Sequence, residues 1–250
     1  MDFVHVSIQD AVAEVRLQRG KVNALNGRVI AELQECFRRL AGDGSVRASV
    51  LTGTGKFFSF GFDIPEFLGF SREAFTGWLE VFTGFYRELF AHPKPVVAAI
   101  NGHAVAGGCM IATACDARIM VSGKARIGLN EIGFGSSVFA GSAALLAHWV
   151  GQRHAQEMLY SGTLYPAEDA AAMGLVDAVV SEEALPGAAR TLAARHGEKD
   201  PAAFRSVKEI LHVPVLEEMA ARERASIREF VEIWYSEQTW KRLREIRIHA

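Results

Sequence analysis

Cysteine is scarce in this chain and is not arranged for joint work: Cys36, Cys109 and Cys115 are an odd, widely spaced set with no Cys-x-x-Cys pair. That argues against a disulfide framework and a zinc site, and predicts small buried thiols in a reducing cytoplasm or organelle matrix. An excess of basic charge is missing too. Lys plus Arg number 27 against 29 Asp plus Glu, for a formal net charge of −2, so the electropositive footprint of a nucleic-acid binder is lacking and no nucleic acid is expected as a partner. No stretch approaches the roughly 18 apolar residues of a spanning helix. Met1 to Gly20 alternates apolar and polar residues and lacks the basic-then-apolar layout of a secretory signal, so the expected location is cytoplasmic with no membrane partner. Internal repeats and low-complexity tracts are absent, which removes solenoids and linkers.

What is present is the composition of an ordinary globular protein: 250 residues, half of them hydrophobic and 22% charged, enough for one sizeable core. Phe3 to Ile8 and Ala11 to Leu17 alternate as two half-buried strands of a hairpin turning at Gln9-Asp10. Val29, Ile30, Leu33, Phe37 and Leu40 recur at helical spacing over Arg28 to Leu40, before Gly42 and Gly44. Val46 to Thr52 and Pro95 to Ile100 read as buried strands entering loops, with a helix from Ser71 to Phe90 between them. A further apolar helix opens at Ala106-Gly107-Gly108 and runs to Ala114, and Ala117 to Val121 reads as a strand. Pro166 and Gly174 bracket a short helix leading into a strand from Val176 to Val180. From Glu182 on the pattern is helical, with a new start at Asp200-Pro201 and a break at Pro214. The order of elements predicts an α/β fold with a largely parallel sheet over residues 1–195 and a helical region over 196–250.

Four segments carry candidate chemistry: Val22-Asn23-Ala24-Leu25-Asn26; Gly53-Thr54-Gly55-Lys56 through Phe60-Gly61-Phe62-Asp63-Ile64; Asn101-Gly102-His103 through Ala106-Gly107-Gly108-Cys109; and Gly128-Leu129-Asn130-Glu131. With the later run Ser161 to Ala170 ending in Gly174-Leu175-Val176, they strongly resemble the crotonase superfamily, the enoyl-CoA hydratase/isomerase proteins, from about residue 3 to the C-terminus. The resemblance implies a ββα spiral core and an acyl-CoA thioester as substrate. Proton loss beside a thioester carbonyl puts charge on its oxygen, so donors must be aimed there. By resemblance these are the backbone N–H groups of Phe62 and Gly107, with Gly61, Gly107 and Gly108 letting substrate approach the main chain. The resemblance also places Val22, Ala24, Leu25, Phe60, Gly61, Asp63, Ile64 and Gly108 along the coenzyme path and offers Lys21 and Lys56 as phosphate partners. Capping or turn formation is an equal reading of Asp63. No metal or redox cofactor is implied, coenzyme A being part of the substrate.

Family hydratases carry two catalytic glutamates; here the first position is Met110 and the second is Glu131. One carboxylate suits moving a double bond, taking a proton from C2 of a 3-enoyl thioester and returning it at C4. In this the wording resembles mitochondrial-type 3,2-trans-enoyl-CoA isomerases. Other single-glutamate relatives form carbon–carbon bonds or hydrolyse acyl groups, and a non-catalytic CoA- or RNA-binding relative is the remaining alternative. His103 is read as a packed residue and not a base. A homotrimer or hexamer is implied; for the terminal helices a solvated face is the favoured reading, and the alternative that the resemblance offers is that they cover a neighbour's site with Trp234, Tyr235 or Trp240 in contact. The basic residues Arg222, Arg224, Arg228, Lys241, Arg242, Arg244 and Arg247 read as a solvated helix face.

Overall fold

The computed structural model describes residues 1–246; Arg247 of the basic C-terminal set lies outside the described residues. A hairpin of β1 (Val4–Gln9) and β2 (Val12–Leu17) opens the chain. Its turn falls at Asp10 and Ala11, one residue later than the sequence reading. Both have positive φ, 50° and 60°, as a two-residue turn that follows the strands' right-handed twist requires. Helix α1 (Gly27–Gly42) follows, capped by the Asn26 side chain, which accepts from the N–H of Val29.

From β2 onward the main sheet is parallel. Its order is β1-β2-β3-β5-β7-β9, with β3 (Ala48–Thr52), β5 (Val96–Ile100), β7 (Ala117–Val121) and β9 (Ala178–Val180). Strands β3, β5 and β7 are buried at every position, which is why they read as unbroken apolar runs and not as alternating ones. Helix α7 (Leu185–Gly197) packs over β2, β3, β5 and β7. Its end is tied to the start of β3 by Arg47, whose Nε donates to the carbonyl of Gly197 at 3.1 Å.

The sequence reading missed a second, three-stranded parallel sheet of β4 (Phe57–Ser59), β6 (His103–Val105) and β8 (Ile127–Gly128). Because these strands run in one direction, their C-terminal ends lie on one edge. Around this edge sit α2 (Ile64–Phe67), α3 (Arg72–Phe90, capped by Ser71) and α4 (Gly107–Thr113). They are followed by a 3-10 turn at Glu131–Phe134 and by α5 (Ala140–Ser161). Helix α5 was also missed. Gly151, at φ 74° and ψ 163°, interrupts it, so the buried positions Leu146, Val150, Ala155 and Met158 slip out of one helical register.

After α6 (Ala167–Ala172), the chain ends in α8 (Pro201–Trp234) and α9 (Glu237–Leu243). Pro214 does not break the chain's helical course, contrary to the sequence reading, and α8 runs through it. Proline removes the N–H that the carbonyl of residue 210 would use. Ile210 is 71% exposed, so water can take that carbonyl and the helix continues. α8 packs on α3 and α5. Buried polar contacts fix its first half: Lys208 pairs with Asp116 at 2.7 Å, and the His212 ring stacks on Phe90 at 3.8 Å. Among the described residues no helix is long and apolar enough to cross a membrane.

Candidate active site

Each strand of the small sheet ends just before one of the residues singled out in the sequence. β4 stops at Ser59 and the chain turns through Phe60, Gly61 and Phe62. β6 stops at Val105 and turns through Ala106 into Gly107, the first residue of α4. β8 stops at Gly128 and delivers Asn130 and Glu131. Parallel pairing therefore gathers three distant stretches of sequence at one edge.

The first two turns touch. A methyl group on Gly61, whose φ is +100°, would lie 2.8 Å from the carbonyl oxygen of Val105 and 2.9 Å from the nitrogen of Gly107. One on Gly107 would lie 2.8 Å from two ring carbons of Phe62, and one on Gly108 would lie 2.2 Å from the carbonyl oxygen of Ser59. Only glycine fits at these three points. Ala106 holds φ 50° and ψ −120°, a strained conformation for a residue with a side chain, and the strain sits at the entry to α4. Neither the N–H of Phe62 nor that of Gly107 donates to an acceptor among the described residues, whereas the residues on either side of Phe62 and the one before Gly107 do; Gly107 shares this with the rest of the first turn of α4, where the N–H groups of Gly108 and Cys109 also find no acceptor. Gly61 donates to Ser59 Oγ, Asp63 to the carbonyl of Leu25 and Ala106 to that of Gly128. The two turns that touch thus each bring an uncommitted main-chain donor, that of Phe62 and that of Gly107, to their contact.

Aromatic packing holds the Phe62 turn. Its ring meets Trp78 edge-on at 4.7 Å and Phe82 at 4.9 Å. From the other side Arg19, which the sequence reading passed over, bridges the loop after β2 to this turn. It donates to the carbonyl of Ala24 at 2.9 Å and pairs with Asp63 at 2.6 Å. Asp63 also accepts from the N–H of Glu66 and so caps α2, which places it among the turn-forming residues. The carbonyl of Val22 accepts from Phe60, and Leu25 bridges to Phe62.

Glu131 is 4% exposed. Burial pushes its carboxyl from the ordinary 4.5 up to about 8, its own backbone N–H pulling weakly the other way. Its Oε2 has no hydrogen-bond partner among the described residues. Burial also raises the thiol of Cys109 in the first turn of α4, and the nearby Glu131 carboxylate raises it further. Met110 is 1% exposed and part of the core.

A cavity of about 420 Å³ connects these features. Glu131, Phe62, Ala106, Phe60 and Ile64 line it on one side; Leu164, Phe230, Trp234 and Ile246 supply apolar wall from later in the chain. Of the expected coenzyme-path residues, Phe60 and Ile64 line this cavity, while Val22, Ala24, Leu25, Gly61, Asp63 and Gly108 do not. Trp234 lines the cavity of its own chain. Tyr235 and Trp240 stack on each other at 4.9 Å, and the Tyr235 hydroxyl donates to the carbonyl of Phe70. Phe230, Ile246 and Leu164 were not singled out in the sequence, because an apolar residue on a C-terminal helix carries no mark of which cavity it walls.

A larger space of about 870 Å³ lies at Arg16, Thr52 to Lys56, Asn101 and His103 and shares no lining residue with the first. Within it Arg16 pairs with Glu14, and Asn101 accepts from Gly53 and donates to the carbonyl of Gly55. Lys56 belongs to that space, and Lys21 is exposed. His103 packs against the Phe57 ring at 5.0 Å, and burial together with Arg126 lowers its proton affinity. The smaller cavity is the chemically equipped one, since it joins an unpaired carboxyl to a turn with an uncommitted amide.

The family model described as enoyl-CoA hydratase/isomerase matches residues 7–243. A probable enoyl-CoA hydratase of Bacillus subtilis is 32% identical over 214 residues, covering 85% of this chain and 83% of its own. A short-chain-enoyl-CoA hydratase of Clostridium acetobutylicum is 33% identical over 203 residues, covering 80% and 77% respectively. Among solved structures, the human mitochondrial delta3-delta2-enoyl-CoA isomerase superposes with a TM-score of 0.92 at 29% identity, over 97% of this chain and 95% of its own. The α/β architecture is that of the crotonase superfamily, and the chain belongs to the enoyl-CoA hydratase/isomerase family.

Proposed function

We propose that this family member isomerises 3-enoyl-CoA to trans-2-enoyl-CoA, with Glu131 as the proton carrier and the N–H groups of Phe62 and Gly107 as donors to the thioester oxygen. The observation that carries the reading is the lone buried carboxyl of Glu131 in the cavity, with Met110 at the position where family hydratases have their other acid. Hydration across a double bond calls on two carboxyl groups acting on one water, and a thioether cannot share that task.

In the proposed reaction the ionised Glu131 takes a proton from C2, and the electron pair of the C–H bond moves into the thioester, leaving a dienolate. Its charge falls on the carbonyl oxygen, where each N–H donor contributes about 3 kcal/mol to the transition state. The protonated Glu131 then returns the proton at C4 and the double bond settles between C2 and C3, so nothing is consumed. An affinity for protons near pH 8 supports this cycle, because the group must accept and release a proton with comparable ease. The apolar wall of Leu164, Phe230 and Trp234 suits an acyl chain.

The test is conversion of a 3-enoyl-CoA by the wild type and by Glu131→Gln, with hydration of a 2-enoyl-CoA measured beside it. Equal isomerisation rates for the two proteins remove the role of Glu131. Hydration faster than isomerisation in the wild type overturns the choice of reaction.

A further inference from the structure

The segment joining Glu131 to α5 has little structure of its own. Gly135 donates to the carbonyl of Ile132 and Ser136 to that of Glu131, and Gly135 stands in the left-handed region at φ 84°. What fixes this segment comes from the C-terminal helices. The Thr239 hydroxyl on α9 donates to the carbonyl of Gly135 at 2.6 Å, and Ser236 donates to Thr239 Oγ1 at 3.1 Å, so the proton of Thr239 is committed to Gly135. At the far end, α5 begins after Phe139, which has no side chain able to accept from the free N–H groups of the first turn. Helix α8 supplies the acceptors: Ala140 donates to Ser226 Oγ at 3.1 Å and Gly141 to Glu223 Oε2 at 3.3 Å. Phe139 itself is packed against Phe230 of α8 at 4.5 Å.

We propose that Thr239, Ser226 and Glu223 are positioning residues, which hold the Glu131 turn in shape from the C-terminal helices. The inference rests on the reading of Glu131 as proton carrier. None of the three lines the cavity, so they act through main-chain groups at 135, 140 and 141 and not on substrate. The buried carboxylate of Glu223 thereby has a task separate from proton transfer: it replaces the cap that α5 lacks.

Thr239→Val removes the donor at nearly constant shape, and Thr239→Ser keeps it. Two readouts are taken: deuterium exchange of the peptide spanning 131–141 without substrate, and kcat and KM for a 3-enoyl-CoA. Thr239→Val should speed exchange of that peptide about tenfold and lower kcat about tenfold with KM within twofold, and Thr239→Ser should restore both. Unchanged exchange in Thr239→Val, or a serine variant as impaired as the valine one, overturns the positioning role; so does faster exchange with unchanged kcat. If the wild type does not isomerise, the proposed reaction fails, while faster exchange in the valine variant alone still upholds the tether. Should Thr239→Val not fold, Ser226→Ala removes a second tether and is read the same way.

Discussion

Replacing Glu131 by Gln should slow the enzyme and at the same time make it more stable in alkali. Burial raises the carboxyl from 4.5 to about 8, so the folded protein holds a proton that the unfolded chain gives up. Between those values the unfolded chain binds fewer protons, so stability falls as pH rises through that window. At 1.36 kcal/mol per unit, the loss between pH 5 and pH 9 is about 4 kcal/mol. Glutamine has the same shape and no such loss. The difference in Tm between Glu131→Gln and wild type should therefore be small at pH 5 and reach roughly 10 °C at pH 9, at about 2–4 °C per kcal/mol for a chain of this size. Thermal unfolding followed by circular dichroism at the two pH values measures it, and the same protein should lose about 10²–10⁴ in kcat. A Tm difference that does not change with pH refutes the argument, because it means that the carboxyl is not held in a water-poor place.

The pH dependence of kcat/KM for a 3-enoyl-CoA should rise about tenfold per unit on the acid side and level off above about pH 8, since the base must be ionised to begin the cycle; a flat profile from pH 6 to 9 contradicts it. Gly107→Ala puts a methyl 2.8 Å from the Phe62 ring and 3.3 Å from Leu25. It should cost about 10² in kcat/KM with a Tm change of a few degrees, and wild-type kinetics would sink the account of the donors. Pro214→Ala gives α8 back an N–H opposite the exposed Ile210 and should raise the Tm by several degrees, from about 1–3 kcal/mol; a fall would show that the proline is needed where it stands.

The large sheet was legible because β3, β5 and β7 are buried throughout, and burial on both faces writes itself as an apolar run. Helices α1 and α3 were legible because each presents one buried stripe behind a side-chain cap, Asn26 and Ser71. The small sheet was not, since strands of two or three residues are shorter than any period that could announce them, and it is pairing with distant strands that makes them strands at all. Gly151 hid α5 by shifting its register, and Pro214 suggested a break that an exposed helix face tolerates. In the site, Phe62, Gly107 and Glu131 stood out through the wording around them. Arg19 did not, because its partners Ala24 and Asp63 are brought to it by the Leu25–Phe62 bridge. Trp234 walls the cavity of its own chain, since α8 packs on α3 and α5.

The shared edge of β4, β6 and β8 divides the labour of the pocket between two kinds of matter. On the proposed reading, polarising the thioester falls to peptide N–H groups, which every residue but proline possesses and which a new side chain can displace only where it crowds the glycines of the two turns. Handling the proton falls to a single side chain, three residues past a two-residue strand. Altered genes of this type that keep those glycines should then keep their grip on a thioester while readily forgetting, or relearning, what to do with it, and a protein deprived of its acid should persist as a tight receptor for the molecule it once converted.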